Sequence, residues 1–289
     1  MLYTGHDDNV FALSESPDGR FIASGGRDKT VQVWSPQTCI AALVYTAHSS
    51  YVLSVAWSPA GNSIASGDTD GKVHVWNAKT GATKYLYEGH VRFVRSLAWS
   101  PDSRFIASGA EFGDSTVQVW EALTGTHLYT HTGQYRIFAV SWFPHGSMIA
   151  AGSFDGIVQT WDAFSGEINQ TYRGHTSPIY TTQWSPNGQY IASGGQESTI
   201  HVWDASTANV VCIYRGHQGA VKTLSWSPDS TRIVSGSDDT TVQVWNTLTG
   251  EHINTYTEQD AWIRAVTWSP NNDYIASASD KYVNIHEMQ

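Results

Sequence analysis

Charge and cysteine are scarce in this chain of 289 residues. Only 15% of the residues are charged, and 16 Lys and Arg stand against 26 Asp and Glu, which gives a formal net charge of −10. Sequence-blind nucleic-acid binding needs a positive field, so nucleic acid is not expected as a partner. The two cysteines, Cys39 and Cys212, exclude a disulfide framework and are expected to be buried side chains in a reducing, cytoplasmic compartment. The longest apolar runs are only as long as a strand, so no membrane contact is expected.

Tryptophan, in contrast, is abundant, and its 13 residues fall into two regular series with one left over. The first series has intervals of 42 or 43 residues, and Glu15 holds its first place: Trp57, Trp99, Trp142, Trp184, Trp226 and Trp268. The second series closes each copy, and His286 holds its seventh place: Trp34, Trp76, Trp120, Trp161, Trp203 and Trp245. Seven units of about 42 residues fill residues 1–289, which predicts a single repeat domain.

Within a unit, apolar and polar residues alternate with a period of two, as in Val-His-Val-Trp at 73–76. The second unit predicts four strands at 52–57, 63–67, 72–76 and 83–87. One such sheet cannot bury both of its faces, so the copies must stack around an axis. This predicts an all-β, seven-bladed β-propeller with four-stranded antiparallel blades. The seventh copy ends after its third strand, and residues 1–4 align with the end of a fourth strand, so they are expected to complete blade 7 and close the ring.

Two dipeptides recur in step with the repeat. Gly-His pairs end at His6, His90, His175 and His217, with Ala47-His48 as a variant, and Trp-Asp ends two units at Asp162 and Asp204. These pairs resemble the WD-repeat (WD40) propellers over the whole chain. The resemblance implies that an Asp–His–Ser–Trp hydrogen-bond chain ties two loops of each blade together. It also implies that partners dock on the face that carries the turns between the second and third strands and the loops between blades, here called the top face.

The repeated Ser, His and acid residues also raise the alternative of a hydrolase. Five copies of a hydrolytic site in one domain are implausible, and a buried Ser would have no oxyanion hole, so no enzyme activity is expected. The expected structural network is His6, Ser24, Asp28, Trp34; His48, Ser66, Asp70, Trp76; His90, Ser108, Asp114, Trp120; His175, Ser193, Glu197, Trp203; and His217, Ser235, Asp239, Trp245.

Two copies depart from this pattern. The fourth has Ala151 and Gly133 in the Ser and His places, and the seventh has Gln259 in the His place. In the fourth copy the Ser and the His are lost together, which a buried polar network tolerates because half of such a network is costly, whereas the seventh copy keeps Ser277 and Asp280. The five His belong to different blades and are not expected to share a metal ion, so neither a metal nor a cofactor is predicted.

The resemblance also implies that three positions in each repeat lie on the top face: the two residues that flank the Val or Ile of the first strand, and the residue before the acid. These positions are rich in aromatic and basic residues. A two-residue insertion at 110–115 adds Phe112 and marks blades 3 and 4 as the preferred sector. The predicted partner-binding residues are Phe11, Arg27, Tyr51, Phe93, Arg95, Phe112, Arg136, Phe138, Phe154, Tyr180, Lys222, Trp262 and Arg264.

These residues predict a non-enzymatic protein- or peptide-binding scaffold, or the sensor domain of a larger multidomain signalling protein. The expected partner is an acidic or carboxylate-bearing segment that also offers an apolar side chain. The alternative is a structural or self-associating propeller with contacts on its rim or lower face. The short, polar lower-face loops at 77–81 and 246–250 disfavour that alternative.

Overall fold

The computed structural model describes residues 1–132 and 135–288, which form 28 strands in seven antiparallel sheets of four. The seven-bladed all-β propeller predicted from the repeat is confirmed. Strands in the second unit start and end within one residue of the expected positions. In the described ranges, no helix is long and apolar enough to cross a membrane.

Blades 1 to 6 each follow the chain order from the inner to the outer strand. The strands of blades 1 to 3 are β2 (Val10–Glu15), β3 (Ile22–Gly26), β4 (Val31–Ser35), β5 (Ile40–Tyr45); β6 (Val52–Trp57), β7 (Ser63–Asp68), β8 (Val73–Asn77), β9 (Thr83–Tyr87); and β10 (Val94–Trp99), β11 (Phe105–Ala110), β12 (Val117–Glu121), β13 (His127–His131). Those of blades 4 to 6 are β14 (Ile137–Trp142), β15 (Met148–Ser153), β16 (Val158–Asp162), β17 (Ile168–Tyr172); β18 (Ile179–Trp184), β19 (Tyr190–Gly195), β20 (Ile200–Asp204), β21 (Val210–Tyr214); and β22 (Val221–Trp226), β23 (Arg232–Ser237), β24 (Val242–Asn246), β25 (His252–Tyr256).

Blade 7 takes its outer strand from the other end of the chain. It contains β26 (Ile263–Trp268), β27 (Tyr274–Ser279) and β28 (Tyr282–Glu287), and β1 (Leu2–Tyr3) pairs antiparallel with β28. The predicted ring closure by the N-terminal strand is therefore confirmed.

Stacked rings join neighbouring blades at the core. Tyr45, at the end of blade 1, stacks on Trp76 of blade 2 with ring centroids 4.5 Å apart. The same contact joins blade 7 to blade 1, where Tyr3 stacks on Trp34 at 4.2 Å. All six closing tryptophans are fully buried, and five of them stack on a tyrosine and the sixth, Trp161, on His131, so each pair fixes the position of one blade against the next.

The two cysteines lie further out than expected. Cys39 and Cys212 are only partly buried, because Cys39 is in the turn before β5 and Cys212 is in an outer strand. Burial nevertheless raises the pKa of both thiols.

Glu15 takes the place that tryptophan fills at the end of the other six inner strands. Tyr274 of blade 7 donates a hydrogen bond to Glu15 Oε2 (2.6 Å), while the buried Oε1 has no hydrogen-bond partner among the described residues. Burial raises the pKa of Glu15 from 4.5 to about 8, although the hydrogen bond from Tyr274 opposes that rise.

The stability of the chain should therefore depend on pH through Glu15. Because the folded-state pKa is the higher one, the full stability is present below pH 4.5 and is lost as the pH rises through about 8. Glu15→Gln, which stays neutral, should lose less melting temperature across this interval than the wild type. Thermal melts of both proteins at the two ends of the interval test this, and parallel pH profiles would contradict it.

Candidate recognition site

The predicted polar network has the same geometry in several blades. In blade 1, His6 Nδ1 bonds Asp28 Oδ2 (2.7 Å) and His6 Nε2 bonds Ser24 Oγ (2.7 Å). Trp34 Nε1 donates to the same Ser24 Oγ (3.0 Å). Equivalent bonds occur in the other blades that keep all four residue types: His90, Ser108, Asp114, Trp120; and His217, Ser235, Asp239, Trp245.

In blade 2 the acid is Asp68, which corrects the expectation for Asp70. His48 Nδ1 bonds Asp68 Oδ2 (2.9 Å), and Asp68 Oδ1 accepts the backbone N–H groups of Asp70 and Lys72 (3.0 Å each). His48 Nε2 bonds Ser66 Oγ, which also accepts the indole N–H of Trp76. The side chain of Asp70 is exposed and lies 3.4 Å from Ser49 Oγ.

The electrostatics of Asp68 agree with this assignment. Burial would raise its pKa, but the hydrogen bonds from His48 and from the two backbone N–H groups together hold it below the ordinary value. Asp68 is the last residue of β7, so its carboxylate lies at the start of the following turn, where the backbone N–H groups of Asp70 and Lys72 donate to it. In the neighbouring repeat that place is Gly26, which has no side chain. Asp70 was predicted because it precedes Trp76 by six residues, as Asp28 precedes Trp34, and this spacing selected the wrong one of two nearby aspartates.

Blade 5 uses a glutamate in the same way. His175 Nδ1 bonds Glu197 Oε1 (2.6 Å), His175 Nε2 bonds Ser193 Oγ (2.8 Å), and Trp203 Nε1 donates to Ser193 Oγ (3.3 Å). Burial would raise the pKa of Glu197, but hydrogen bonds from Thr176 and His175 lower it to about 2.

Within the part of the chain that the structure describes, two groups of side chains have the composition of a metal site. His48, Asp68 and His74, and likewise His175, Glu197 and His201, place three ligand-type atoms within 4.8 Å of one another. In both groups the imidazole rings lie with their centroids 3.9 Å apart, tilted by 35° and 19°. A metal ion that is bound by a histidine lies in the plane of the imidazole ring. Two rings that lie over each other at this distance and tilt have no nearby point that is in both planes. The arrangement favours hydrogen-bonded, stacked imidazoles over a shared metal ion.

The second His of each group is held neutral. Burial, together with the charge of His48, lowers the pKa of His74 to about 4, and burial with the charge of His175 does the same for His201. The hydroxyl of Tyr45 bonds His74 Nδ1 (2.8 Å), and the hydroxyl of Tyr172 bonds His201 Nδ1 (2.7 Å).

Blade 4 lacks the network, and Trp161 Nε1 has no hydrogen-bond partner among the described residues, while His131 takes the place of the stacking tyrosine. His131 lies on Trp161 with centroids 4.0 Å apart and planes 12° apart, and it bonds Gln159 Oε1 (3.1 Å). Gly133, which was aligned with the missing His, lies outside the described residues. In blade 7, Gln259 Nε2 donates to Ser277 Oγ, which also bonds His286 Nε2 (2.8 Å).

The network serine side chains are buried in every blade that has them: Ser24, Ser66, Ser108, Ser193 and Ser235 have no exposed surface. A nucleophile must meet its substrate, so this enclosure favours a structural role for the network.

A ring of seven bulged residues forms the mouth of the central opening on the top face. Each inner strand carries a β-bulge after its first residue, which leaves the second residue without a direct pairing partner, as for Arg95 between Val94 and Ser96. These seven residues all line one cavity of about 460 Å³: Phe11, Leu53, Arg95, Phe138, Tyr180, Lys222 and Arg264. Arg136 and Phe154 lie beside them, together with two acids, Glu111 and Asp238.

The acids neutralise two of the four cations in this mouth. Arg95 Nε and Glu111 Oε2 are 2.6 Å apart, and Lys222 Nζ and Asp238 Oδ2 are 3.1 Å apart. Lys222 also lies over the ring of Tyr180, 4.0 Å from its centroid.

Arg136 and Arg264 are held by aromatic rings. The guanidinium of Arg136 lies 4.0 Å from the centroid of Phe112 and 5.0 Å from that of Phe154. That of Arg264 lies 5.3 Å from Phe11 and 5.9 Å from Trp262. In residues 1–132 and 135–288, neither arginine forms an ion pair with a carboxylate.

Not all thirteen predicted residues reach the mouth cavity. Phe93 and Phe112 pack against each other beside it (5.7 Å), and Arg27 lies over Tyr51 (5.4 Å) further out. Trp262 stays 55% exposed. The inner eight are Phe11, Arg95, Arg136, Phe138, Phe154, Tyr180, Lys222 and Arg264.

Glu111 was not predicted to line the mouth, because the insertion in blade 3 separates it from the acid Asp114. In the sequence, the residue directly before the acid Asp114 is Gly113. However, Glu111 N donates to Phe93 O as Asp238 N donates to Ala220 O, so Glu111 is the structural equivalent. The two extra residues therefore follow Glu111, and Phe112 is displaced outward to 44% exposure.

Comparison with known proteins agrees with this architecture. Residues 43–211, more than half of the chain, match the family described as IFT122 first beta-propeller. Residues 1–35, 208–246 and 250–287 match the WD domain, G-beta repeat. The transcriptional repressor tup12 of Schizosaccharomyces pombe is 45% identical over 38 residues, which are 13% of this chain and only 6% of that protein. The chain belongs to the WD-repeat β-propellers, which are typically protein-interaction scaffolds and generally not enzymes.

Proposed function

We propose that the chain is a peptide-binding platform whose mouth receives an acidic segment of a partner protein together with a neighbouring apolar side chain. The observation that carries this proposal is the pair Arg136 and Arg264. Both line the same cavity, and aromatic rings, not carboxylates, hold their guanidinium groups. Such a group keeps its N–H donors available for a carboxylate, and the ring limits the entropy lost on binding.

The charge of the mouth supports an anionic ligand. Its lining contains four cationic and two anionic side chains, within a chain whose formal net charge is −10. A local excess of positive charge at a concave site draws in acidic ligands and raises their rate of association.

The rings around the cations supply the apolar part of the site. Phe138 lies between Phe154 and Tyr180, with centroid distances of 6.2 and 5.2 Å, so an arc of aromatic side chains runs from blade 4 to blade 5. Arginine and aromatic residues grouped in a partly buried pocket are the usual anchors of protein interfaces. The arc therefore suits an aliphatic or aromatic side chain placed next to the acid.

Peptide selection tests this proposal. A random peptide library is selected on the immobilised protein, and enriched peptides are measured by calorimetry. We expect peptides with at least one Asp or Glu near an apolar residue, and a loss of affinity of at least tenfold in Arg136→Glu/Arg264→Glu.

Arg104→Glu/Arg232→Glu is the matched control. These two arginines also lie over aromatic rings, 5.0 Å from Phe105 and 4.9 Å from Trp268, but next to the far ends of their blades' inner strands. Peptides that bind the mouth variant as tightly as the wild type, or that lack acidic residues, would refute the proposal.

A further inference from the structure

Two of the three cations on the inner strands of the mouth are paired with an acid of their own blade. Lys222 pairs with Asp238, the residue that follows the second strand of blade 6 (3.1 Å). Arg95 pairs with Glu111, which follows the second strand of blade 3 (2.6 Å). The position after the second strand is therefore where a blade supplies a carboxylate to its own inner cation. Arg264 of blade 7 is the third such cation.

Blade 7 supplies no such carboxylate to Arg264. Only two residues, Asp280 and Lys281, join its second and third strands, whereas residues 238–241 join those strands in blade 6. Asp280 follows the second strand, but in this short turn it adopts a left-handed conformation with a φ of 51°. Its carboxylate is exposed and forms no ion pair with Arg264, and no other described acid does so.

Arg136 is the other cation of the mouth that has no acid of its own. The residue that follows the second strand of blade 4 is Phe154, where blades 3 and 6 have an acid. The guanidinium of Arg136 lies over the rings of Phe112, Phe154 and Tyr135, at 4.0, 5.0 and 5.4 Å from their centroids. Arg136 also has a φ of 51°, and such backbone strain at a residue other than glycine is typical of functional positions.

Arg136 and Arg264 belong to opposite sides of the opening. Blades 4 and 7 are separated by blades 5 and 6 in one direction around the ring and by blades 1 to 3 in the other. Aromatic rings hold each guanidinium on its own side, since Phe112 contacts Arg136 and Phe11 contacts Arg264. A single carboxylate is therefore not expected to reach both groups at hydrogen-bond distance.

We infer that the partner segment carries two acidic residues, one that binds Arg264 at blade 7 and one that binds Arg136 at blade 4. This inference rests on the proposed function and deepens it, because it gives the number of acids that the mouth binds and the place of each. The mouth has four cations and two acids, so two partner carboxylates would complete its charge balance.

Glu111 and Asp238 would then determine specificity without binding the partner's acids. Each neutralises one cation of the mouth, so a partner carboxylate gains little beside Arg95 or Lys222 and meets a like charge there. These two internal acids would direct the partner's acids to blades 4 and 7.

Double-mutant cycles with a selected acidic peptide test the assignment. Arg264→Gln should lower the affinity of that peptide at least tenfold, and it should make replacement of one of the two peptide acids by its amide almost without effect. Arg136→Gln should do the same for the other acid. Calorimetry of each variant with the peptide and with its two amide forms gives the coupling, and thermal melts verify that the variants are folded.

Lys222→Gln/Asp238→Asn is the matched control in the same mouth. It removes an ion pair and leaves the net charge of the mouth unchanged, so it should bind the peptide as tightly as the wild type. Asp238→Asn alone frees Lys222, and peptide selection on this variant should enrich a third acidic residue.

Four results would each overturn this inference and leave the proposed function in place: selected peptides that carry a single acid, two arginines that couple to the same acid, a loss of affinity in the control equal to that in Arg264→Gln, or no third acid on Asp238→Asn. Selection of peptides without acids, or of no peptide at all, would overturn both.

Discussion

Deletion of residues 1–5 is expected to lower the melting temperature by about 10 °C. The deletion removes β1, which supplies the outer strand of blade 7, and with it Tyr3, which is 2% exposed. Tyr3 packs on Trp34 and its hydroxyl donates to Gln32 Oε1, so its loss also opens the boundary between blades 7 and 1. Loss of one buried aromatic side chain alone costs about 3–5 kcal/mol. Calorimetric melting of the truncated chain measures the effect.

Point variants separate the closure from a general effect of shortening. Tyr3→Ala should reproduce most of the destabilisation, whereas Leu2→Ala should change little because Leu2 is 47% exposed. A truncated chain that melts at the wild-type temperature would show that β1 does not hold the ring closed.

Asp68→Ala should reduce the free energy of unfolding by about 3 kcal/mol. The substitution leaves His48 Nδ1 and the backbone N–H groups of Asp70 and Lys72 without their acceptor. His48 and Asp68 have no exposed side-chain surface, so water cannot replace the lost carboxylate at little cost. Equilibrium unfolding in urea measures the change.

Asp70→Ala provides the matched control, two residues along the chain. Because the Asp70 side chain is exposed, this change should cost less than about 0.5 kcal/mol. Equal losses of stability in the two variants would contradict the assignment of Asp68, and not Asp70, as the acid of the network.

The architecture could be predicted because the repeat is strict. Two tryptophan series in step fixed the number of blades, and the alignment of residues 1–4 with a fourth strand fixed the closure. The tyrosines that stack on the closing tryptophans recur with a similar period and could have been found in the same way: Tyr3, Tyr45, Tyr87, Tyr172 and Tyr214.

The site was harder to predict where a residue's role depends on the direction of its side chain and not on its position in the repeat. Asp68 and Asp70 are both acids near the end of β7, and only the direction of the side chain distinguishes them. Glu111 precedes an insertion, so counting back from Asp114 passes over it. The β-bulges also leave no mark in the sequence, although they turn Arg95, Lys222 and Arg264 into one mouth.

The central claim is that the His, Ser and acid residues stabilise the blades while the mouth binds the partner. Affinity for one selected acidic peptide, measured by calorimetry below the melting range of every variant, separates these roles most directly. We predict that Asp68→Ala binds as tightly as the wild type although it is less stable, and that the folded Arg136→Glu/Arg264→Glu variant loses binding. Unchanged affinity in the arginine variant, or lost affinity in a folded Asp68→Ala protein, would contradict the account.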